Sequence, residues 1–75
     1  MPNLVKRSVN LAGHATSLAL EPEFWAVLER MAAGASLASL IGRIDAERAD
    51  RPLASACRVA ALEWALTPEQ GHGRA

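Results

Sequence analysis

The side chains best suited to binding an anion are concentrated near the N-terminus of this 75-residue chain. Lys6 and Arg7 are the only charged side chains before Glu21. Of the hydrogen-bonding side chains that follow within ten residues, four complete the candidate set: Ser8, His14, Thr16 and Ser17. Ammonium, guanidinium, hydroxyl and imidazole groups all donate hydrogen bonds to phosphate oxygens. This stretch predicts a phosphate site, for a nucleic acid or a small ligand; a solvated basic segment with a turn-capping histidine has the same residue pattern.

A second position with anion-binding chemistry is predicted at the start of a helix. Gly34 ends one helical pattern and Ser36 begins the next. A serine at the N-cap accepts a hydrogen bond from a backbone N–H of the first turn. The other free N–H groups and the helix dipole attract a phosphate. Ser36 is therefore predicted as a structural cap, with anion contact as an additional role.

No combination of residues predicts catalysis or metal binding. The chain has no Ser–His–Asp arrangement with a supporting loop, no carboxylate pair in a plausible cleft and no Walker loop. We therefore expect no enzymatic activity and no cofactor. The single cysteine, Cys57, excludes an intrachain disulfide, and no His/Cys cluster has zinc-ligand spacing. Cys57 is expected to be a small buried apolar residue.

Length and composition favour a small soluble protein that associates with itself. Apolar residues make up 51% of the chain, and 8 basic residues balance 8 acidic ones. One domain of this size buries only about 60% of its unfolded surface, so a second copy is the expected way to enlarge the core. We expect a cytoplasmic location without membrane contact, because no apolar run is long enough to span a bilayer and no signal-peptide core is present.

Two alternating stretches position the N-terminal polar residues. Residues 5–11 and 14–20 alternate with a period of two, which predicts two strands, and the Ala12-Gly13 pair between them predicts a two-residue turn. That turn places Leu11 opposite His14, Val9 opposite Thr16 and Arg7 opposite Leu18. The apolar face then contains Val9, Leu11, Thr16, Leu18 and Leu20, and the polar face Lys6, Ser8, Asn10 and Ser17, with Ala15 and Ala19.

Three amphipathic stretches predict helices at about residues 22–33, 36–48 and 53–66, with a flexible tail over residues 67–75. Asp50 is predicted to cap the third helix, and Trp25 to lie off the first apolar stripe, at the domain edge or on a dimer partner. The predicted core contains Leu18, Leu20, Phe24, Leu28, Met31, Leu37, Leu40, Ile41 and Ile44. The third helix is predicted to pack outside it through Leu53, Cys57, Ala60 and Trp64.

The order of strand, proline-led helix, Gly-x-Ser turn and second helix resembles the ribbon-helix-helix family of small dimeric repressors and antitoxins. The resemblance covers residues 14–48. It is closer to a bacterial subgroup with a Lys-Arg-Ser and Gly-His-x-Thr-Ser stretch, here Lys6-Arg7-Ser8 and Gly13-His14-Ala15-Thr16-Ser17. That subgroup also has an added C-terminal helix, as residues 53–66 provide here.

The resemblance implies a mainly α fold with a short β ribbon, formed as an intertwined homodimer with an N-terminal strand and a third helix. It implies a DNA-binding transcriptional regulator or an antitoxin-like protein. The outward residues Ala15, Ser17 and Ala19 would read base edges, and the helix at Ser36 would hold a phosphate. Two alternatives remain: a module that holds a phosphate-bearing metabolite or nucleotide at the basic sheet edge, and an adaptor that binds a protein through its third helix.

Two features depart from the family pattern. Ala15 and Ala19 have no hydrogen-bonding group, whereas base readout rests on forked polar side chains. If both predicted strands of each subunit joined one sheet, its four strands would measure about 19 Å across, from a ~4.8 Å strand spacing plus side chains. The major groove is about 12 Å wide. Either the N-terminal strand separates, or the sheet meets DNA in another manner.

Overall fold

A computed structural model describes residues 3–67. A two-stranded antiparallel sheet precedes three helices, in the order β1 Val5–Leu11, β2 His14–Leu20, α1 Pro22–Ala32, α2 Leu37–Glu47 and α3 Leu53–Ala65. This confirms the prediction of a mainly α fold with a short ribbon, an added N-terminal strand and a third helix. Three residues at the predicted helix ends are C-caps instead: Ala33, Arg48 and Leu66. All of the predicted tail except Thr67 lies outside the described residues.

The two strands form a hairpin with the predicted register. Leu11 pairs with His14 across the turn, and Arg7 pairs with Leu18 further along. Ala12 and Gly13 both have left-handed backbone angles, with φ of 52° and 85°. Two such residues are characteristic of a type I′ turn, whose twist matches that of the strands it connects. The turn is thus tight, and its alanine occupies a conformation that costs about 1–2 kcal/mol for a residue with a Cβ.

The core lies between one face of the hairpin and the helices. Leu20, Leu28, Ile41 and Cys57 are fully buried, and Leu18 packs in the same cluster. Leu18 and Leu20 are two residues apart in β2, so both side chains point to the same side of the sheet. The hairpin therefore has one apolar face against the helices and one face that is free of them.

Trp25 belongs to the core, so its predicted place at the domain edge or on a partner is wrong. Only 3% of the residue is exposed, and its Nε1–H donates to the carbonyl oxygen of Val5 at 2.8 Å. The apolar stripe of α1 does not predict this contact, because the residue of β1 that contacts Trp25 lies twenty positions earlier in the chain. Trp25 thereby connects α1 to the added strand.

Helix α3 contributes to the core rather than packing outside it. Ala56, Cys57 and Ala61 are its buried residues, and Cys57 and Ala61 belong to the central cluster. The predicted cap at Asp50 is wrong, since Pro52 is the N-cap and makes no side-chain capping bond. Small side chains along one face of α3 let this helix approach α1 and α2 closely.

The residues predicted to form a dimer core divide into two groups. Leu18, Leu20, Leu28, Leu40 and Ile41 are buried within one chain. Phe24, Met31, Leu37 and Ile44 are only half-buried.

Within residues 3–67 no single helix is long and apolar enough to cross a membrane. Helices α1 and α2 have sufficient length and apolar character only when taken together, and that pair is bent by 100°.

Candidate functional site

The outer face of the hairpin, away from the helices, is a two-stranded polar surface. It consists of Lys6, Ser8 and Asn10 from β1 and of Ala15, Ser17 and Ala19 from β2. All are exposed except Ala19, which is half-buried. The register pairs Lys6 with Ala19, Ser8 with Ser17 and Asn10 with Ala15. The face therefore has longer polar side chains along β1 and small ones along β2, and it contains no acidic residue.

Three of the predicted site residues meet on this outer face: Lys6, Ser8 and Ser17. Ser8 and Ser17 are directly opposite each other, and Lys6 is two residues from Ser8 along the same strand face. An ammonium group and two hydroxyl groups form a set of donors that suits phosphate oxygens. The structure thus places half of the N-terminal polar set on one accessible surface.

Arg7 lies on the opposite face, because consecutive strand residues point to opposite sides. Its guanidinium donates to Glu29 Oε2 at 3.1 Å and lies 4.5 Å from the centre of the Trp25 ring. The side chains of Arg7 and Glu29 are 39% and 56% exposed, so water screens this ion pair. Lys6 and Arg7 are neighbours in sequence, yet their charges lie on opposite faces of the hairpin.

His14 and Thr16 also lie on the helix-facing side of the hairpin. His14 pairs with Leu11 beside the turn and is exposed, whereas Thr16 pairs with Val9 and is half-buried. Neither residue joins Lys6 on the outer face. The predicted phosphate set therefore divides between the two faces of one sheet.

Ser36 caps α2 as predicted. Its hydroxyl oxygen accepts a hydrogen bond from the backbone N–H of Ser39 at 3.0 Å, and its carbonyl accepts from the N–H of Leu40 at 3.2 Å. Ser36 is exposed, and the first turn of α2 contains no acidic side chain. The remaining free N–H groups of that turn are open to an anion.

Asn10 is the polar residue that the predicted site lacked. Its Oδ1 accepts a hydrogen bond from the backbone N–H of Gly13 at 3.1 Å, which orients the amide beside the turn. The signal was present in the sequence, because Asn10 continues the alternation of Lys6 and Ser8.

The titrating groups with shifted pKa values lie away from the outer face. A hydrogen bond from the Arg58 side chain, at 2.9 Å, lowers the pKa of Glu21. Burial raises the pKa of the Cys57 thiol to about 11, and the charge of Asp45 adds to that effect. Among residues 3–67 no group of three or more His, Cys, Asp or Glu side chains is placed to hold a metal ion.

A family model described as a ribbon-helix-helix domain matches residues 4–65. The chain belongs to the ribbon-helix-helix domain family. The match includes both strands and all three helices, so β1 and α3 are parts of the matched domain. Ribbon-helix-helix domains generally dimerise and bind DNA, and they are typically non-enzymatic regulators. No curated protein and no solved structure gives a significant match.

Proposed function

We propose that this ribbon-helix-helix protein is a small, dimeric, bacterial DNA-binding regulator of the repressor or antitoxin kind, acting in the cytoplasm without enzymatic activity. The observation that carries the proposal is the exposed outer face of the hairpin. That face contains Lys6, Ser8 and Ser17 without any carboxylate. A face free of negative charge and rich in donors suits the phosphates and base edges of duplex DNA.

The proposed phosphate contacts come from two places in the chain. Lys6, Ser8 and Ser17 act from the hairpin, and Ser36 acts through the start of α2. Arg7, His14 and Thr16 border the hairpin from its other side. An exposed ion pair such as Arg7–Glu29 is worth only about 0–1 kcal/mol, so Arg7 can exchange its carboxylate partner for a phosphate at small cost.

The proposed dimer follows from apolar surface that one chain leaves half-exposed. Phe24, Met31, Leu37 and Ile44 are only half-buried, although they complete the apolar stripes of α1 and α2. A domain of this size gains stability when such residues are covered. A second copy packed against α1 and α2 would cover them.

Fluorescence anisotropy with a generic duplex DNA tests the proposal. We expect binding at about 50 mM salt and much weaker binding at about 200 mM. The reason is that counterion release drives association less strongly when the salt concentration is higher. Lys6→Ala should weaken binding and lower the salt slope by about one for each phosphate that the variant no longer binds. Arg43→Ala, which removes an exposed cation from α2, is the matched control. No binding at low salt would refute the proposal.

A second candidate is a module that binds a phosphate-bearing metabolite or nucleotide at the basic sheet edge, and a third is an adaptor that binds another protein through α3. A groove of about 340 Å³ between α2 and α3 favours the adaptor; its apolar lining includes Ile44 and Val59, and its charged lining consists of Glu47, Glu63, Arg48 and Arg51. Thermal unfolding with nucleotides and phosphorylated metabolites distinguishes the second candidate, since a ligand that binds only the folded state raises the melting temperature. An adaptor would respond to neither DNA nor these ligands, and substitutions on α3 would reduce its partner binding.

A further inference from the structure

We infer that the groove between α2 and α3 binds an α-helix of another protein, one with an apolar stripe and a lysine or arginine at its middle. This inference goes beyond the proposed DNA binding and is independent of it, because the groove and the outer face of the hairpin have no residue in common. It specifies the partner chemistry of the adaptor candidate.

The groove is elongated along the two helices. Its first part, of about 340 Å³, adjoins a second part of about 300 Å³, and the two parts share four lining residues: Ile44, Glu47, Ala60 and Glu63. On the α3 side the lining extends from Ala56 to Thr67, which is roughly 16 Å at 1.5 Å per residue. This length matches about three turns of a docked helix. An amphipathic helix laid in an apolar groove is a recurring mode of recognition.

Small side chains on α3 create the groove. Ala56 and Ala60 are about one helical turn apart and both line the first part of the groove. A methyl group at each position leaves open the space between α2 and α3 that a longer side chain would fill. Apolar walls border that space, because Ile44 of α2 and Val59 of α3 are half-buried beside it. Partner side chains that enter the groove therefore gain apolar contacts on both sides.

Two carboxylates border the groove where its two parts meet. Glu47 of α2 and Glu63 of α3 line both parts, and both residues are exposed. Within residues 3–67 no basic side chain forms an ion pair with either of them. Arg48, on the same rim, donates instead to Asp45 and to the carbonyl oxygen of Arg51. A lysine or arginine at the middle of a docked helix therefore meets complementary charge, whereas a glutamate there is repelled.

The same charges disfavour a second copy of this chain as the occupant. In a two-fold interface, residues near the axis meet their own counterparts. A second copy centred on the groove would bring Glu47 and Glu63 of both chains together, and like charges placed side by side oppose association. Two of the residues proposed to lie in the dimer, Phe24 and Leu37, are outside both parts of the groove. Charge complementarity therefore assigns the groove to a different protein.

Fluorescence anisotropy of the full-length protein with two labelled peptides tests the inference. Each peptide is an alanine-rich helix of about 14 residues with leucines at positions i, i+3, i+4 and i+7, and the two differ only in a central lysine or glutamate. We expect saturable binding and a roughly tenfold preference for the lysine peptide at low salt. The preference should decrease at high salt, because salt screens interactions between exposed charges.

Charge reversal in the groove should change which peptide is preferred. Glu63→Lys should reduce the preference for the lysine peptide, and Glu47→Lys combined with Glu63→Lys should reverse it. Both positions are exposed, so the core stays intact, and circular dichroism checks the fold. Glu23→Lys, at an exposed position on α1 outside both parts of the groove, is the matched control and should leave the preference unchanged. Val59→Ser should weaken both peptides equally, because it alters an apolar wall and no charge.

The inference is overturned if neither peptide binds saturably, if both bind with equal affinity, or if the preference survives the double charge reversal. Peptide binding that occurs only after dilution to the single chain would also overturn it, because a second copy would then be the occupant of the groove. These measurements contain no DNA. Their failure therefore leaves the proposed DNA binding standing, and a protein that binds no duplex leaves this inference standing.

Discussion

At the scale of single residues, adjacent side chains in this protein have opposite roles. Lys6 stands on the outer face of the hairpin, while Arg7 packs over Trp25 and pairs with Glu29 on the other face. Strand alternation is the cause, since each step of one residue reverses the side-chain direction. Two adjacent positive charges in a strand therefore place only one charge on each face of the sheet.

The ion pair between Glu21 and Arg58 is a residue-scale link between the start of α1 and α3. The hydrogen bond at 2.9 Å lowers the pKa of Glu21 below its usual value. A carboxyl group with a lowered pKa stabilises the folded state above its unfolded pKa, about 4.3, and this contribution is lost as the pH falls through the folded pKa. We predict that Glu21→Gln lowers the melting temperature at pH 7 and that this effect diminishes as the pH falls below the unfolded pKa and the carboxyl becomes protonated.

A double-mutant cycle with Arg58→Met provides the control for that prediction. At pH 7 the effects of the two substitutions should not add, because either one alone breaks the pair. As the pH falls and the Glu21 carboxyl becomes protonated, the effects should approach additivity. Thermal unfolding followed by circular dichroism measures both conditions, and a Glu21→Gln effect that is independent of pH would contradict the assignment.

At the scale of elements, two connections contain an alanine in the left-handed backbone conformation, which is unfavourable for a residue with a Cβ. Ala12 in the hairpin turn and Ala33 at the end of α1 both have φ of 52°. Glycine adopts this conformation without the clash of a Cβ, and it is the residue most common after a helix C-terminus. These connections fold because the packed strands and helices on either side hold them in place.

We predict that Ala33→Gly stabilises the protein by about 0.5–1 kcal/mol, despite the greater freedom of glycine in the unfolded chain. The matched control is Ala26→Gly, at an exposed position inside α1, which should destabilise by about 0.5–1 kcal/mol. Urea unfolding of both variants measures the two free energies. A loss of stability for Ala33→Gly would show that the C-cap is not strained.

The attachment of β1 to α1 depends on Trp25. We predict that Trp25→Phe costs at least about 1 kcal/mol, since it removes the hydrogen bond to the Val5 carbonyl and part of a buried ring. Hydrogen exchange should become faster at the N-terminal end of β1 before it does in α2. Equal acceleration in both elements would mean that Trp25 supports the whole core instead of this one attachment.

At the scale of the whole molecule, the apolar surface that remains on the helices explains why a second copy is proposed. Five of the predicted core residues are buried within one chain, but Phe24, Met31, Leu37 and Ile44 are only half-buried. The outer face of the hairpin points away from the helices that contain them. The proposed self-association and the proposed DNA binding therefore use different parts of the molecule.

We predict a mass of about 16 kDa in solution, twice the 8.0 kDa of the chain, and a melting temperature that rises with protein concentration. Ile44→Glu should shift the equilibrium towards the single chain, because it places a charge among half-buried apolar residues. Ala46→Glu, at an exposed position on the same helix, should leave the dimer intact. Sedimentation equilibrium measures the mass, and a monomeric unaltered protein would refute the proposed dimer.

The sequence by itself determined the elements and the hairpin register. Strand alternation over residues 5–11 and 14–20, the Ala12-Gly13 turn, the helical stripes and the Ser36 cap depend on residues close together in the chain, so local patterns are sufficient to predict them. The same patterns carry the family resemblance. They also place Lys6, Ser8 and Ser17 on one face, which is the part of the candidate site that was predictable.

Only the tertiary structure decided which side chains from different elements contact one another. The burial of Trp25 beneath β1, the pairing of Arg7 with Glu29 and the central place of Cys57 each join residues more than fifteen positions apart. Contacts of that kind depend on how elements pack, and no periodicity along the chain encodes them.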